Sequence, residues 1–165
     1  MDWLIVFLAK DLFVAIILVA FLTWWGLDKN KKIQFAAAIV VAGLLGYILS
    51  KMGGGLYYHP RPFVTEHIKP LIPHGNDNGF PSDHTWFCMT ITAVIYYYNK
   101  RWALVAFILT LLVGAGRVLA HLHYPIDILG GLIVGTVAGY IGYRIVKFLI
   151  PKFSKYKQPN QDKNT

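Results

Sequence analysis

The chain has 165 residues, 56% of them hydrophobic and only 15% charged, with a formal net charge of +8. A soluble fold of this composition would lack the polar surface to cover itself, so the composition predicts an integral membrane protein. The positive charge does not indicate a nucleic-acid partner, because the basic residues are scattered at the ends of apolar segments, where membrane topology puts them.

The apolar runs are long enough for helices and lack the alternation of membrane strands, which predicts an all-α bundle of about five transmembrane helices. A sixth element arises if the N-terminal segment lies at the interface. Trp3 to Trp25 is apolar except for Lys10 and Asp11. Leu12 to Gly26 alone would measure roughly 22 Å, short of a hydrocarbon core of about 30 Å, so the first span must start before Lys10. It lacks a basic start and a small-residue cleavage site and is expected to be retained. Asp28 to Lys32 reads as a basic loop and Ile33 to Met52 as the second span, ended by Gly53, Gly54 and Gly55.

Leu56 to Phe80 is a long polar connection rich in His and Pro, and loops of that length are usually functional. Pro81 to Tyr98 forms the third span, Asn99 to Arg101 a tight turn, and Trp102 to Ala120 the fourth span. His121 to Tyr124 makes a polar corner before a fifth span from Pro125 to Ile150. One domain is expected over residues 1–150, followed by a basic, disordered cytoplasmic tail over 151–165. Gly131, Gly135 and Gly139 recur every four residues along the fifth span, as close helix packing requires.

Five spans place Lys29, Lys31, Lys32, Lys100, Arg101 and the region from Arg144 onward on one side, which the positive-inside rule makes cytoplasmic. All six histidines fall on the other side: 59, 67, 74, 84, 121 and 123. Any chemistry is therefore expected at the extracytoplasmic face of the membrane.

Three polar clusters converge there. Arg61-Pro62 lies in the long loop, and Pro81-Ser82-Asp83-His84 opens the third span. Arg117, His123 and Asp127 bracket the corner. Pro81 suits a first helical turn, and Ser82 and Asp83 suit capping, so the free amides here make a seat for an anion. Arg117 lies within an apolar run and needs a partner, either an anion or a carboxylate such as Asp127 or Asp83. His123 and Asp127, four apart, fit an imidazole held by a carboxylate. Cys88 stands alone, so no internal disulfide is possible, and no Cys/His zinc spacing occurs, so no metal site is expected. Two histidines and two arginines without metal ligands point to phosphoryl transfer in which guanidinium groups and amides neutralise charge.

Arg61-Pro62, then Pro81-Ser82-Asp83-His84, then Arg117 with His123 and Asp127, resembles the three-part signature of the type 2 phosphatidic acid phosphatase family. The wider pattern, including Leu71-Ile72-Pro73-His74, is similar to its bacterial undecaprenyl pyrophosphate phosphatases. The resemblance implies His123 as nucleophile forming a phosphohistidine, Asp127 as its orienting carboxylate, and His84 as general acid and base. It also implies Arg61, Arg117, Ser82 and Asp83 around the substrate phosphate, with a polyprenyl or other phospholipid as substrate and no cofactor. Phosphatidic acid, phosphatidylglycerophosphate and lipid A are the alternative substrates, and oligomeric state is open.

Two positions depart from that signature. The family lysine falls at Gly54, for which Lys51 is the candidate replacement, and the family serine falls at Gly116. His59, His67, His74 and His121 read as loop hydrogen-bonding residues, with His74 and Lys69 candidates for a second phosphate. A small ion or proton transporter is the reading of another class. It would need polar residues through the membrane depth and repeated halves, and neither occurs in this sequence.

Overall fold

The structure, a computed structural model, describes the backbone of residues 2–156 and the side chains of residues 2–150. It is helical throughout its regular elements. We number them α1 (Asp2–Val6), α2 (Phe13–Trp25), α3 (Lys29–Leu56), α4 (Pro62–Thr65), α5 (Asp83–Tyr96), α6 (Lys100–Leu119) and α7 (Pro125–Tyr156), with a π-helical segment, Phe7–Asp11, joining α1 to α2. The expected basic tail lies outside the described side chains, and beyond Tyr156 outside the described backbone.

Among the described residues, α3, α6 and the Pro125–Ile150 part of α7 are long and apolar enough to cross a membrane. The bent pair Asp2–Asp11 and Phe13–Trp25, angled by 44°, is a fourth candidate if taken as one span. The remaining expected span, the third, is α5, whose 14 residues cover only about 21 Å. It lies at the centre of the bundle. Cys88, Val94 and Ile95 are fully buried there, in a core shared with Ile16, Ala38, Ala42, Ala106 and Val113.

Chain direction follows from close backbone approaches. A Cβ on Gly131 would meet Thr85, one on Gly135 would meet Met89, and one on Gly139 would meet Ala93, so α5 and α7 run parallel in register. The four-residue glycine spacing lets these backbones touch. Gly46 against Trp86 and Gly53 against Pro81 make α3 antiparallel to α5, and Gly114 against Ile128 makes α6 antiparallel to α7. The starts of α2, α5 and α7 therefore meet the ends of α3 and α6 at one end of the bundle.

Several boundaries differ from the sequence expectation. The three glycines at 53–55 stay helical: the C-cap Tyr57 continues the helical ladder by donating its N–H to Gly53 O at 3.0 Å, and the returning loop supplies Asn78 Nδ2 to Gly54 O at 2.8 Å. The helices at both basic turns start earlier than expected. Asp28 caps α3 by accepting from Lys31 N at 3.0 Å, and Asn99 caps α6 by accepting from Arg101 N and Trp102 N, each at 3.1 Å. Pro81 lies before the helix it was expected to open, and Ser82 is the N-cap of α5 without a side-chain capping bond. Its hydroxyl instead accepts from Thr85 Oγ1 at 3.1 Å.

The long connection is folded by Asn78. Its Oδ1 accepts from His59 N and Phe80 N, both at 2.9 Å, and its Nδ2 donates to Gly54 O and to Tyr57 O. With Gly79 N donating to His59 O at 2.8 Å, the two ends of the loop are zipped together over the bundle. Phe63, Ala120 and Leu122 form a second small apolar core beneath it.

Candidate active site

Arg61 enters the site from the residue before α4, where Pro62 opens the helical turn. Only 3% exposed, it uses donors in three directions: Nε to Asp77 Oδ1 at 2.8 Å, Nη1 to Leu122 O at 2.9 Å, and Nη2 to Asn78 O at 3.3 Å. Nη1 also lies 3.1 Å from His123 Nε2. A guanidinium has only donors, so Nε2 presents its lone pair to Arg61 and the ring proton sits on Nδ1. That is the tautomer a nitrogen nucleophile needs.

His123 turns the corner between α6 and α7 and is 2% exposed. Its Nδ1 lies 3.5 Å from Asp127 Oδ2, an ion-pair distance longer than a hydrogen bond, and has no hydrogen-bond partner. Burial pulls the His123 imidazole below its ordinary range, and Arg61 and Arg117 reinforce this against the opposing pull of Asp127. The ring is held neutral. Asp127, fully buried in the first turn of α7, receives Tyr124 N on Oδ2 at 2.8 Å and His59 Nδ1 against Oδ1 at 2.7 Å.

Arg117 is 4% exposed near the end of α6. Its Nη1 donates to Ala9 O of the π-helical segment at 3.3 Å and its Nε has no partner. Neither expected carboxylate claims it: Asp127 serves His59 and Tyr124, and Asp83 accepts from Trp86 Nε1 at 3.0 Å. His84, half-buried in the first turn of α5, meets Phe13 edge-on at 5.8 Å and lies within electrostatic reach of Arg117 and His123.

The structure thus brings Arg61, Ser82, His84, Arg117, His123 and Asp127 to one end of the bundle. The other two expected phosphate ligands stand apart from this arrangement. Asp83 is exposed and turned to Trp86, and Lys51 is exposed with its ammonium 5.5 Å from the Tyr47 ring centroid. Sequence reasoning missed the site roles of Asp77, Asn78 and His59. Asp77 is the counter-ion of Arg61: partial burial pushes its carboxyl up, but the hydrogen bond and charge of Arg61 outweigh this and hold it below the ordinary carboxylate range. His67 and His121 are exposed, both with positive φ, and His74 lies 3.5 Å from Asp77.

Both departures from the resembled signature have a packing reason. A Cβ on Gly54 would sit 3.0 Å from Phe80 O and 3.5 Å from Asn78 Nδ2, so the folded loop occupies the lysine position. A Cβ on Gly116 would lie 2.7 Å from Ala9 N and from Leu8 Cβ, so the π-helical segment occupies the serine position. Restoring serine by Gly116→Ser is therefore expected to lower stability by about 1–3 kcal/mol and to reduce activity, since the π-helical backbone must move off Arg117. Thermal unfolding in detergent beside an activity assay checks this; an unchanged midpoint with higher activity would contradict it.

The buried imidazole of His123 has the Arg61 guanidinium on its Nε2 side and the Asp127 carboxylate on its Nδ1 side, at one end of a helical membrane bundle, an arrangement suited to phosphate chemistry. The chain belongs to the PAP2 superfamily, whose family model matches residues 31–151, and it is a membrane phosphatase. It is 34% identical over 154 residues to undecaprenyl-diphosphatase BcrC of Bacillus subtilis, covering 92% of this chain and 78% of that one. It is 31% identical over 140 residues to the putative undecaprenyl-diphosphatase YbjG of Escherichia coli, covering 82% of this chain and 70% of that one. The fold is similar to the crystal structure of Aquifex aeolicus LpxE, with a TM-score of 0.61 at 22% identity over 86% of this chain and 93% of that one.

Proposed function

We propose that the protein removes the terminal phosphate of undecaprenyl pyrophosphate, without a metal ion, through a phosphohistidine on His123. The observation that carries the chemistry is the lone pair of His123 Nε2 beside the Arg61 guanidinium at 3.1 Å, with Asp127 on the Nδ1 side. The names of the two relatives support the substrate, each at more than 30% identity over most of this chain.

In this scheme the terminal phosphate takes over donors of Arg61 now held by Asp77 and His123, and meets Arg117 on the opposite side. His123 Nε2 attacks phosphorus, the bond to the bridging oxygen breaks, and His84 supplies the proton that the leaving lipid phosphate needs. His84 then takes a proton from water, whose oxygen attacks the phosphohistidine and frees inorganic phosphate and Nε2. Asp127 stabilises the positive charge that the imidazole carries while phosphorylated.

The site end is assigned to the outside of the cell. Lys29, Lys31, Lys32, Lys100, Arg101 and Arg144 occupy the opposite end, which the positive-inside rule makes cytoplasmic.

Phosphate release by purified protein in EDTA tests the substrate and the metal-free chemistry together. Undecaprenyl pyrophosphate is expected to be preferred over phosphatidic acid and phosphatidylglycerophosphate. A preference for either glycerophospholipid would remove the substrate assignment, and loss of all release in EDTA would remove the mechanism. In right-side-out membrane vesicles a water-soluble phosphate ester added outside should be hydrolysed without detergent; hydrolysis only after permeabilisation would reverse the orientation.

A further inference from the structure

Asp127 has two histidines, and the tighter bond goes to the one that the family signature does not include. His59 Nδ1 lies 2.7 Å from Asp127 Oδ1, whereas His123 Nδ1 lies 3.5 Å from Oδ2. The carboxylate is fully buried, so each of its oxygens needs a donor. Oδ2 has Tyr124 N at 2.8 Å, and Oδ1 has His59.

His59 is itself fixed on every side. Its N–H donates to Asn78 Oδ1 at 2.9 Å, and its carbonyl accepts from Gly79 N at 2.8 Å. Its ring lies between Tyr57, stacked at a centroid distance of 5.5 Å, and Tyr124 at 5.0 Å. A Cβ on Gly79 would come within 3.1 Å of His59 O and 3.2 Å of Asp127 Oδ2, so the loop backbone seals the pair. These contacts set the rotation of the Asp127 carboxylate.

We propose that His59 is a positioning residue for the phosphoryl-transfer step: its Nδ1–H holds Asp127 Oδ1 so that Oδ2 stays directed at His123. The inference rests on the reading of His123 as nucleophile. When His123 becomes phosphorylated and positive, a carboxylate already locked in place stabilises that charge without reorganising. His59 hydrogen-bonds none of the proposed phosphate ligands directly, so its effect belongs to kcat rather than to KM.

Three variants separate the donor from the ring. His59→Ala removes both and leaves Oδ1 buried without a donor; kcat is expected to fall about 10- to 100-fold, the range for lost orienting partners, with KM nearly unchanged. His59→Phe keeps an aromatic ring between Tyr57 and Tyr124 but donates nothing, and should match alanine in kcat while retaining more thermal stability. His59→Asn places an amide N–H near the Nδ1 position and should restore kcat to within several-fold of the native enzyme.

Wild-type kcat in His59→Phe would overturn the inference, as would a loss seen only in KM, or an asparagine variant no better than alanine. Trapping the phosphoenzyme on the native protein, with the labelled residue mapped, keeps the two readings apart. Label on His123 with an indifferent His59→Phe defeats only the positioning role, whereas no label, or label on His59, defeats the nucleophile assignment.

Discussion

Replacing His123 with alanine should lower turnover about 10⁴-fold or more, as removal of a covalent nucleophile does elsewhere, and leave the protein folded. The fold should survive because Arg61 keeps Leu122 O, Asp77 and Asn78 O as partners when the imidazole is gone, so no new buried charge is stranded. His84→Ala makes the complementary case. With an aryl phosphate, whose leaving group needs no proton, His123 can still be phosphorylated, but water then lacks its base. A burst of one equivalent followed by a stall is expected, with acid-labile, alkali-stable label on the chain. Retention of more than about 1% of activity in His123→Ala, or label in that variant, would sink the scheme.

The pH dependence follows from the same site. Burial, Arg61 and Arg117 hold the His123 imidazole below its ordinary value of 6.5, so the neutral nucleophile persists into more acid solution. The acid limb of kcat/KM should therefore lie below that of a free histidine.

The polar clusters were legible in the sequence because each residue type was costly in its setting. Arg117 in an apolar run and His123 one turn from Asp127 have few structural uses at the end of a membrane span. The courses of α3, α6 and α7 were legible for a related reason: long apolar runs leave the backbone no choice but a helix. What stayed hidden depends on contacts distant in sequence. Nothing in Phe7–Asp11 marks a π-helical segment, and the acceptor it offers Arg117 is the Ala9 carbonyl, a group that every residue carries. His59 looked like any of the loop histidines until the fold brought it against Asp127, 68 positions away. Lys51 was misleading for the opposite reason, and in position only: its distance along the chain from Arg61 suggested reach, whereas α3 continues to Leu56 and its side chain is exposed beside Tyr47.

Arg117→Gln should make the resting protein more stable and the enzyme about 10²- to 10³-fold poorer in kcat/KM, the loss typical of removing one preorganised charge-stabilising donor. The guanidinium is 4% exposed with one bond of 3.3 Å, an unpartnered Nε and the like charge of Arg61 nearby. A buried charge in that condition costs several kcal/mol, because among the described residues no carboxylate lies at ion-pair distance and Asp83 acts only from farther off. An anion between Arg61 and Arg117 would relieve both the repulsion and the unsatisfied donor, so the proposed function exchanges stability here for affinity toward phosphate. Inorganic phosphate or vanadate should therefore raise the unfolding temperature of the native protein by several degrees and that of Arg117→Gln by much less. Arg117→Lys should recover only part of the activity, since an ammonium cannot hold Ala9 O and a phosphate oxygen with one planar fork. Equal stabilisation of native and Arg117→Gln protein by phosphate, together with a lower unfolding temperature for the variant, would mean that Arg117 serves the packing of the first helix rather than the substrate.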